Sequence, residues 1–378
     1  MLFRSRFRVR VEGPEREVQK MIRAIPGTRT VDQMGVKELP TTIDGWHDLL
    51  VRVKNETNMI PISCLSSFLF GSGSFANAFV PATYNSEYSI DPATGKIEYT
   101  KATDEMKEFI KVMKQWYDEG LIDADIVTLD SATVKAKFVS GQSFLSMGFA
   151  GSSMQTFLVA GLEENPKMEV AAIPGVAKAE GAEIVHNSGN GAYLGSGVTI
   201  SATCPDIEAA ARWLDYRFTE EGIVLTNFGV EGESYEYKDG HYHYTDLVLK
   251  NPDGKSITQM LGNYTFCAES FAGIQTLDYL KSYYSAYPAV AAASAIWSSK
   301  GSDDYVLYTY DIKHTGEEQD ELNIYEKDLK SYANETLYNF VIGKGDIDKD
   351  WANYLKSLES FGLSDVLKIK QAAYDRMK

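Results

Sequence analysis

Along much of the chain, apolar residues recur every three or four positions, a spacing typical of amphipathic helices. In the clearest case Thr103 provides an N-cap, Asp104 places an acid in the first turn, and Gly120 provides an end. The face predicted to be buried consists of Met106, Phe109, Ile110, Met113 and Tyr117. A second helix is predicted to start near Thr42, with the apolar positions Trp46, Leu49, Leu50 and Val53. Further helices are predicted over residues 153–160, 319–342, 347–359 and 364–377.

The segment from Gly197 to Gly222 combines a strand-like run with helix start and end signals. Its β-branched residues 198–200 predict a strand. Thr203 then supplies an N-cap and Pro205 a first-turn proline, while Gly222 marks the predicted end of the helix. The apolar stripe predicted to face a core consists of Ile207, Ala210, Ala211, Leu214 and Phe218.

Alternating tyrosines directly after this helix predict a β-hairpin. The tyrosines alternate with polar residues on both sides of Asp239-Gly240, the pair favoured in a type I′ turn. Shorter strands are predicted near Phe144–Phe149, near Val170–Ile173 and on both sides of the turn at Asp91–Gly95. Because strands alternate with helices, we predict an α/β fold with a parallel or mixed sheet. A chain of 378 residues exceeds the size at which one core keeps growing, so two lobes are expected.

Three blocks of the sequence resemble one protein family. They are TKATDEMKEFIKVMKQWYDEGLIDADI, then TCPDIEAAARWLDYRFTEEG with NFGVEGESYEYKDG, and finally the C-terminal FVIGKGDIDKDWANYLKSLESFGLSDVLKIKQAAYDRMK. In this order they resemble family 1 extracellular solute-binding proteins, the oligosaccharide-type lipoproteins of ABC importers in Gram-positive bacteria. The likeness begins near Asp32 and runs to the last residue.

The resemblance implies a periplasmic-binding-protein-like α/β fold with two lobes, discontinuous chain crossings and a ligand cleft between the lobes. It implies no catalysis and no cofactor. The implied partners are an oligosaccharide ligand and the permease subunits of the importer, and the implied location is the cell surface, through a lipid anchor. We expect a monomer. Many relatives have an acidic loop that could hold calcium, but KNETNMIPIS at the matching place offers too few oxygen ligands, so no metal is expected.

The first thirty-one residues differ from the rest of the chain in charge. Arginines dominate this segment, whereas the whole chain carries a formal net charge of −16. Phe7, Val9 and Val11 alternate as in a strand, Gly13-Pro14 predicts a turn, and a helical pattern follows. Residues 1–31 are therefore predicted to be an atypical basic βα segment, which weakly resembles a module of some ABC transporter ATPases. The solute-binding portion is then expected to be residues 32–378, without signal sequence, lipobox or the first strands of lobe one; alternatively, residues 1–31 are native.

The composition of the chain disfavours some classes of binding partner. Hydrophobic residues make up 44% of the chain and charged residues 24%, as in ordinary soluble proteins. The negative net charge disfavours nucleic acids and anionic membrane surfaces as partners. Cys64, Cys204 and Cys267 are widely spaced, which predicts buried single thiols rather than a disulfide framework or a zinc site.

The sequence contains no catalytic or metal-binding motif whose residues have the required spacing. The chain has no P-loop, no His-Glu-x-x-His motif and no Gly-x-Ser-x-Gly elbow. Gly189-x-Gly191 is predicted to be a turn, and His241 and His243 lack a clearly placed third ligand. Asp346-x-Asp348-x-Asp350 lacks the glycine and glutamate of a calcium loop, so these acids are predicted to stabilise a helix N-terminus.

Aromatic residues, including 23 tyrosines, concentrate where the pattern predicts irregular structure. A sugar ring has an apolar face and a hydroxyl rim, so flat aromatic platforms with polar groups at their edge suit a saccharide site. The candidate ligand-binding residues are Phe75, Phe149, Ser152, Asn190, Tyr193 and Trp297. Three tryptophans on predicted helices are instead expected to pack in the core, namely Trp116, Trp213 and Trp351.

Three alternatives remain open from the sequence. A peptide- or polyamine-binding relative would meet ligand amines with carboxylates. A glycoside hydrolase would use paired carboxylates, which no spacing identifies among 53 acids. A truncated chain that binds no sugar is the third alternative. The identity, linkage and length of the sugar are not encoded in any recognisable motif.

Overall fold

A computed structural model describes most of the chain from residue 34 onward. The described residues are 34–36, 38–71, 75–81, 87–91, 93–149, 153–166, 168–182, 198–250, 255, 257–265, 274, 276–285, 287–298, 306–307 and 312–377. They form two compact units: the larger contains residues 34–182 and 293–377, and the smaller contains residues 198–292. The predicted boundary at residue 32 lies outside the described residues.

The secondary structure of the described residues alternates short strands with helices. The helices are α1 (Ile43–Glu56), α2 (Ser66–Gly71), α3 (Asp104–Asp118), α4 (Ser131–Val139), α5 (Gln155–Glu164), α6 (Ile207–Asp215), α7 (Glu220–Asn227), α8 (Asp246–Leu249), α9 (Ile257–Leu261), α10 (Leu277–Ser285), α11 (Pro288–Ser298), α12 (Gly316–Val341), α13 (Ile347–Ser360) and α14 (Leu363–Asp375). The strands are β1 (Ile60–Ile62), β2 (Tyr88–Ile90), β3 (Ile97–Tyr99), β4 (Ser143–Leu145), β5 (Tyr235–Lys238), β6 (His241–Tyr244) and β7 (Val306–Leu307).

The larger unit contains both parallel and antiparallel pairing. Strands β1 and β4 are parallel, with Ile60 opposite Ser143 and Ile62 opposite Leu145. Ile62 also forms a parallel bridge with Ile122. A separate antiparallel sheet has the order β3-β2-β7, and the predicted turn at Asp91–Gly95 joins β2 to β3. The prediction of a parallel or mixed arrangement is therefore confirmed, whereas residues 170–173 are irregular and their predicted strand is wrong.

Helix α3 has the predicted start and buried face, except that its last predicted core residue, Tyr117, is only half-buried and Trp116 is buried instead. The Thr103 hydroxyl accepts a hydrogen bond from the Met106 amide at 3.2 Å, which caps the helix. Its buried face consists of Met106, Phe109, Ile110, Met113 and Trp116. These side chains belong to one core with helices α1, α12, α13 and α14. Trp116 and Trp351 are both buried, which confirms that prediction for these two tryptophans.

In the smaller unit, the predicted hairpin is present as β5 and β6. Asp239 and Gly240 both have positive φ, at 54° and 82°, as a type I′ turn requires. On one face Phe228 stacks on Tyr242, with ring centroids 4.9 Å apart. Tyr244 is buried and donates a hydrogen bond to the Asn227 carbonyl at 2.5 Å. Tyr235, Tyr242 and Tyr244 thus form one side of a small core that also contains residues of α9 and α10, whereas Tyr237 is exposed.

The helix before the hairpin differs from its prediction in several respects. Residues 198–200 form no strand, and the N-cap of α6 is Asp206 rather than Thr203. Asp206 accepts from the Ala209 amide at 2.8 Å, because a carboxylate one residue before the first helical turn is better placed than a hydroxyl farther away. Gly222 does not end a helix. It lies in the first turn of α7, where an added Cβ would be 1.8 Å from the Tyr216 carbonyl oxygen.

The apolar stripe of α6 is not buried. No residue of α6 is buried, and Ile207, Trp213 and Phe218 are 53%, 57% and 51% exposed. The predictions that this stripe and Trp213 pack in a core are therefore wrong. The Arg217 guanidinium lies 5.2 Å from the Trp213 ring, so the indole contacts a cation instead.

Candidate functional site

The carboxyl ends of the parallel strands in the larger unit meet at one edge. The Ser63 amide donates to the Leu145 carbonyl at 3.0 Å, and the Asp123 amide donates to the Ile62 carbonyl at 2.8 Å. The segments that leave β1, β4 and the bridge at Ile122 therefore start side by side. In α/β proteins, ligands bind outside this edge of a parallel sheet. The chain segments at this edge are the candidate functional site.

A buried polar cluster holds two of these segments together. The Asp123 carboxylate accepts from the Ser63 hydroxyl at 2.6 Å and from the Lys137 ammonium at 2.8 Å. Burial raises the pKa of Asp123, but the hydrogen bonds from Lys137 and Ser63 outweigh this effect and leave the pKa below its usual value. The carboxylate stays charged and is satisfied by its neighbours. Its role is to fix the segments after β1 and Ile122.

The cysteine at this edge is not a nucleophile. Cys64 is completely buried, and desolvation raises the pKa of its thiol to about 12. A thiol with such a pKa carries almost no thiolate at neutral pH. Cys64 is therefore a packing residue, as predicted, whereas Cys204 is half-buried and Cys267 lies outside the described residues.

Phe149 presents an aromatic face four residues after the end of β4. Its side chain is 48% exposed, and its ring meets that of Phe68 edge-on, with centroids 5.2 Å apart and an interplanar angle of 81°. Phe68 lies in α2, which follows β1. Two neighbouring strand ends thus contribute one aromatic pair, in which Phe68 supports a ring that solvent can reach.

Two backbone hydrogen bonds join Phe149 to the residues just before α5. The Phe149 carbonyl accepts from the amides of Ser153 and Met154, both at 3.0 Å. A Cβ on Gly148 would lie 2.3 Å from the Ser153 hydroxyl, so this approach requires glycine. These contacts set where the Phe149 ring lies relative to the strand end.

Two polar side chains that flank Phe149 along the chain have no hydrogen-bond partner. The Ser146 hydroxyl and both amide atoms of Gln155 are buried and unpaired. Gln155 is only 2% exposed. Neither residue is among the sequence-predicted site residues, because an unpaired atom can be recognised only in three dimensions. The one available signal was their position on both sides of Phe149.

The other sequence-predicted site residues lie in different surroundings or outside the described residues. Phe75 is completely buried, and its ring meets those of Trp46 and Trp116 edge-on at 5.7 and 5.1 Å, so it offers no face to a ligand. Trp297 lies in α11 rather than in a loop. Ser152, Asn190 and Tyr193 lie outside the described residues. Of the six candidates, Phe149 alone among the described side chains combines exposure with a place at the strand edge.

Neither proposed metal motif assembles a cation site in the described residues. His241 hydrogen-bonds to Asp278 at 3.0 Å, and the Asp346 carboxylate accepts from the amides of Asp348 and Lys349 at the start of α13. The latter contact is the helix-stabilising role predicted for these acids. Across the described part of the chain, no group of three or more His, Cys, Asp or Glu side chains is arranged to hold a metal ion.

Comparison with known proteins finds relatives along nearly the whole chain. The fructooligosaccharide ABC transporter substrate-binding protein FusA of Streptococcus pneumoniae is 25% identical over 359 residues, which cover 90% of this chain and 63% of FusA. The chain therefore spans less than two thirds of that relative's length. Lipoprotein LipO of Bacillus subtilis is 27% identical over 159 residues, 42% of this chain and 31% of LipO. Over 90% of its length the chain is thus similar to a substrate-binding protein of an ABC transporter.

Solved structures of such solute-binding proteins share its fold. The alginate-binding protein AlgQ2, solved without calcium ion, has a TM-score of 0.71 at 22% identity, covering 91% of this chain and 70% of AlgQ2. The structure of FusA with kestose has a TM-score of 0.66 at 20% identity, covering 92% and 70% of the two chains. The periplasmic-binding-protein-like fold predicted for this chain is thereby confirmed. No family model matches the sequence. None of the described helices is long and apolar enough to cross a membrane.

Proposed function

We propose that this chain binds an oligosaccharide as the substrate-binding component of an ABC importer, and that Phe149 is a platform for one sugar ring. The observation that carries the proposal is the half-exposed Phe149 ring at the carboxyl edge of the parallel strands. A sugar ring can stack its C–H face on this ring, while hydroxyl and amide groups nearby meet its hydroxyls. The relatives FusA and AlgQ2 are named for saccharide ligands, which supports this ligand class.

The finer parts of the proposal follow from the family resemblance. The ligand is enclosed between two lobes, closure of the lobes commits the complex to the permease, and a lipid anchor keeps the protein at the outer face of the cell membrane. The chain acts as a monomer. Asn190, Tyr193, Ser152 and Trp297 remain predicted contributors to the same site. The similarity to a lipoprotein, LipO, supports the anchored location.

The experiment is calorimetric titration of the chain with kestose, nystose, an alginate oligosaccharide and a high-mannose N-glycan. At least one of them is expected to bind, and Phe149→Ala is expected to weaken that binding by at least about tenfold, because an aromatic platform loses its whole stacking area. Tyr237→Ala is the matched control, since Tyr237 is similarly exposed, at 53%, on the hairpin of the smaller unit. Equal losses in both variants, or binding unaffected by Phe149→Ala, would remove Phe149 from the site.

Recovery of the ligand separates binding from hydrolysis. After prolonged incubation the sugar is expected to be intact by mass spectrometry, whereas a glycoside hydrolase would release shorter products. Failure of all four saccharides to bind, with a peptide or polyamine binding instead, would contradict the proposed ligand class.

A further inference from the structure

Two of the buried polar groups in the larger unit flank the turn that carries Phe149. Ser146 is the first residue after β4, and its hydroxyl oxygen is buried without a hydrogen-bond partner. Gln155 is the first residue of α5, and neither its carbonyl oxygen nor its amide nitrogen is hydrogen-bonded. Buried amides and hydroxyls in folded proteins nearly always have partners, because removing them from water without a replacement bond is unfavourable.

Both residues lie close to Phe149 along the chain, and a backbone contact links Phe149 to the start of α5. Ser146 lies three positions before Phe149, at the carboxyl edge of β4. Gln155 follows Met154, whose amide donates to the Phe149 carbonyl at 3.0 Å. Ser153 and Met154 form a π-helical turn, a feature that occurs often at functional sites.

The chemistry of the unpaired groups matches the edge of a sugar. The Gln155 amide offers one acceptor and one donor, which is the pair that two adjacent hydroxyl groups require. The Ser146 hydroxyl can donate and accept. An aromatic face with an amide and a hydroxyl beside it is the combination that recognises both the C–H face and the rim of a pyranose or furanose ring.

We propose that Ser146 and Gln155 bind hydroxyl groups of the saccharide that stacks on Phe149, directly or through a retained water. This inference rests on the proposed function, and it names two specificity-determining residues of the same site. In the free protein the two side chains are kept unpaired. Ligand binding, with a shift of the turn at Ser153–Met154, supplies the missing hydrogen bonds.

The same strand provides a matched pair of control residues at its other end. Ser143, the first residue of β4, also has a buried and unpaired hydroxyl. Gln142 precedes it and is exposed. Both lie at the amino end of β4, away from Phe149 by the length of the strand. If an unpaired hydroxyl or a nearby glutamine were enough, these two residues would have the same effect as Ser146 and Gln155.

The test compares Ser146→Ala and Gln155→Met with Ser143→Ala and Gln142→Met. Each variant is titrated by calorimetry with the saccharide that wild type binds best among kestose, nystose, an alginate oligosaccharide and a high-mannose N-glycan. The melting temperature of each is also measured without ligand. Ser146→Ala and Gln155→Met are each expected to lose about tenfold in affinity, and the two controls less than twofold. The ligand-free melting temperature of Gln155→Met should not fall, because methionine replaces an amide that has no bond to lose.

Each outcome distinguishes the inference from the function on which it rests. Wild-type affinity in both test variants, with Phe149→Ala still impaired, overturns the inference and leaves the proposed function in place. A fall in the ligand-free melting temperature of Gln155→Met, with affinity unchanged for the folded fraction, assigns Gln155 to structure and also overturns it. Absence of binding of all four saccharides to wild type removes the proposed function, and the inference with it.

Discussion

Helices α3 and α6 have the same kind of apolar stripe and opposite surroundings. In α3 every residue of the stripe from Met106 to Trp116 is buried in the core of the larger unit. In α6, which belongs to the smaller unit, no residue is buried, and Trp213 is 57% exposed. Both helices start at a side chain that caps the first turn. Spacing and capping therefore determine where a helix forms, whereas its burial depends on packing against helices and strands from other parts of the chain.

The difference has an energetic consequence. Burial of an apolar face is the dominant source of stability for a helix, and capping adds little by comparison. Helix α3 should therefore be among the last elements to open. Helix α6 should be held mainly by its own backbone bonds, by its cap and by contacts such as that between Trp213 and Arg217.

The largest expected effect is that of removing one tryptophan from each helix. Trp116→Ala should destabilise the larger unit by about 3–5 kcal/mol, because a fully buried ring is replaced by a cavity. Trp213→Ala should cost less than about 1 kcal/mol, since the ring is more than half exposed and its contact with Arg217 is of the cation–π type. Urea denaturation followed by far-UV circular dichroism measures both. A similar loss in the two variants would mean that the stripe of α6 is covered in solution.

Removing the N-cap side chains should lower stability less than removing the tryptophans. The loss should be global for α3 and local for α6. Thr103→Ala removes the acceptor of the Met106 amide and should lower the stability of the larger unit by about 1 kcal/mol. Asp206→Ala removes the acceptor of the Ala209 amide, but the loss should appear as faster local opening of α6, with the midpoint of unfolding unchanged. Hydrogen exchange of the α6 amides, measured beside the urea midpoint, checks this. Equal shifts of the midpoint in both variants would contradict it.

The same contrast explains how much of the fold could be predicted from the sequence. Where start, face and end signals agreed, the predicted element was confirmed, as for α3, α13 and the hairpin around Asp239-Gly240. Local sequence signals gave a wrong prediction where tertiary contacts determine which residue is required. A glycine such as Gly222 is typical of a helix end. Here, however, glycine is required because the Tyr216 carbonyl oxygen lies too close to leave room for a Cβ atom.

The candidate site was predictable only in part, for the same reason. Phe75 and Phe149 both lie in segments with glycine and serine, and nothing local separates them. One is completely buried between two tryptophans from other helices, and the other is half-exposed at a strand end. Gln155 gives no local signal beyond its place near Phe149 in the chain, because its defining property is the absence of a partner for a buried amide.

The smallest expected loss of stability comes from breaking an ion pair, either between two helices or within one helix. In the larger unit both Arg376 guanidinium nitrogens donate to Glu318 at 2.5 Å, which joins the end of α14 to the first turn of α12. On α6, Glu208 pairs with Arg212 one turn away, and both side chains are highly exposed. At neutral pH, Glu318→Gln should cost on the order of 1 kcal/mol and Glu208→Gln less than about 0.5 kcal/mol.

The effect of Glu318 should also depend on pH, in a direction that follows from its pKa. The hydrogen bonds from Arg376 and then from the Thr315 amide lower the pKa of Glu318 from its ordinary value of 4.5 to about 2. A carboxyl group whose pKa is lowered by folding stabilises the protein above its unfolded pKa and loses that contribution as the pH falls towards the folded one. The difference in stability between wild type and Glu318→Gln should therefore be constant above about pH 5 and shrink between pH 4.5 and 2. Urea midpoints of the larger unit over this range measure it, and a difference that stays constant down to pH 2 would show that the pair does not hold α12 to α14 in solution.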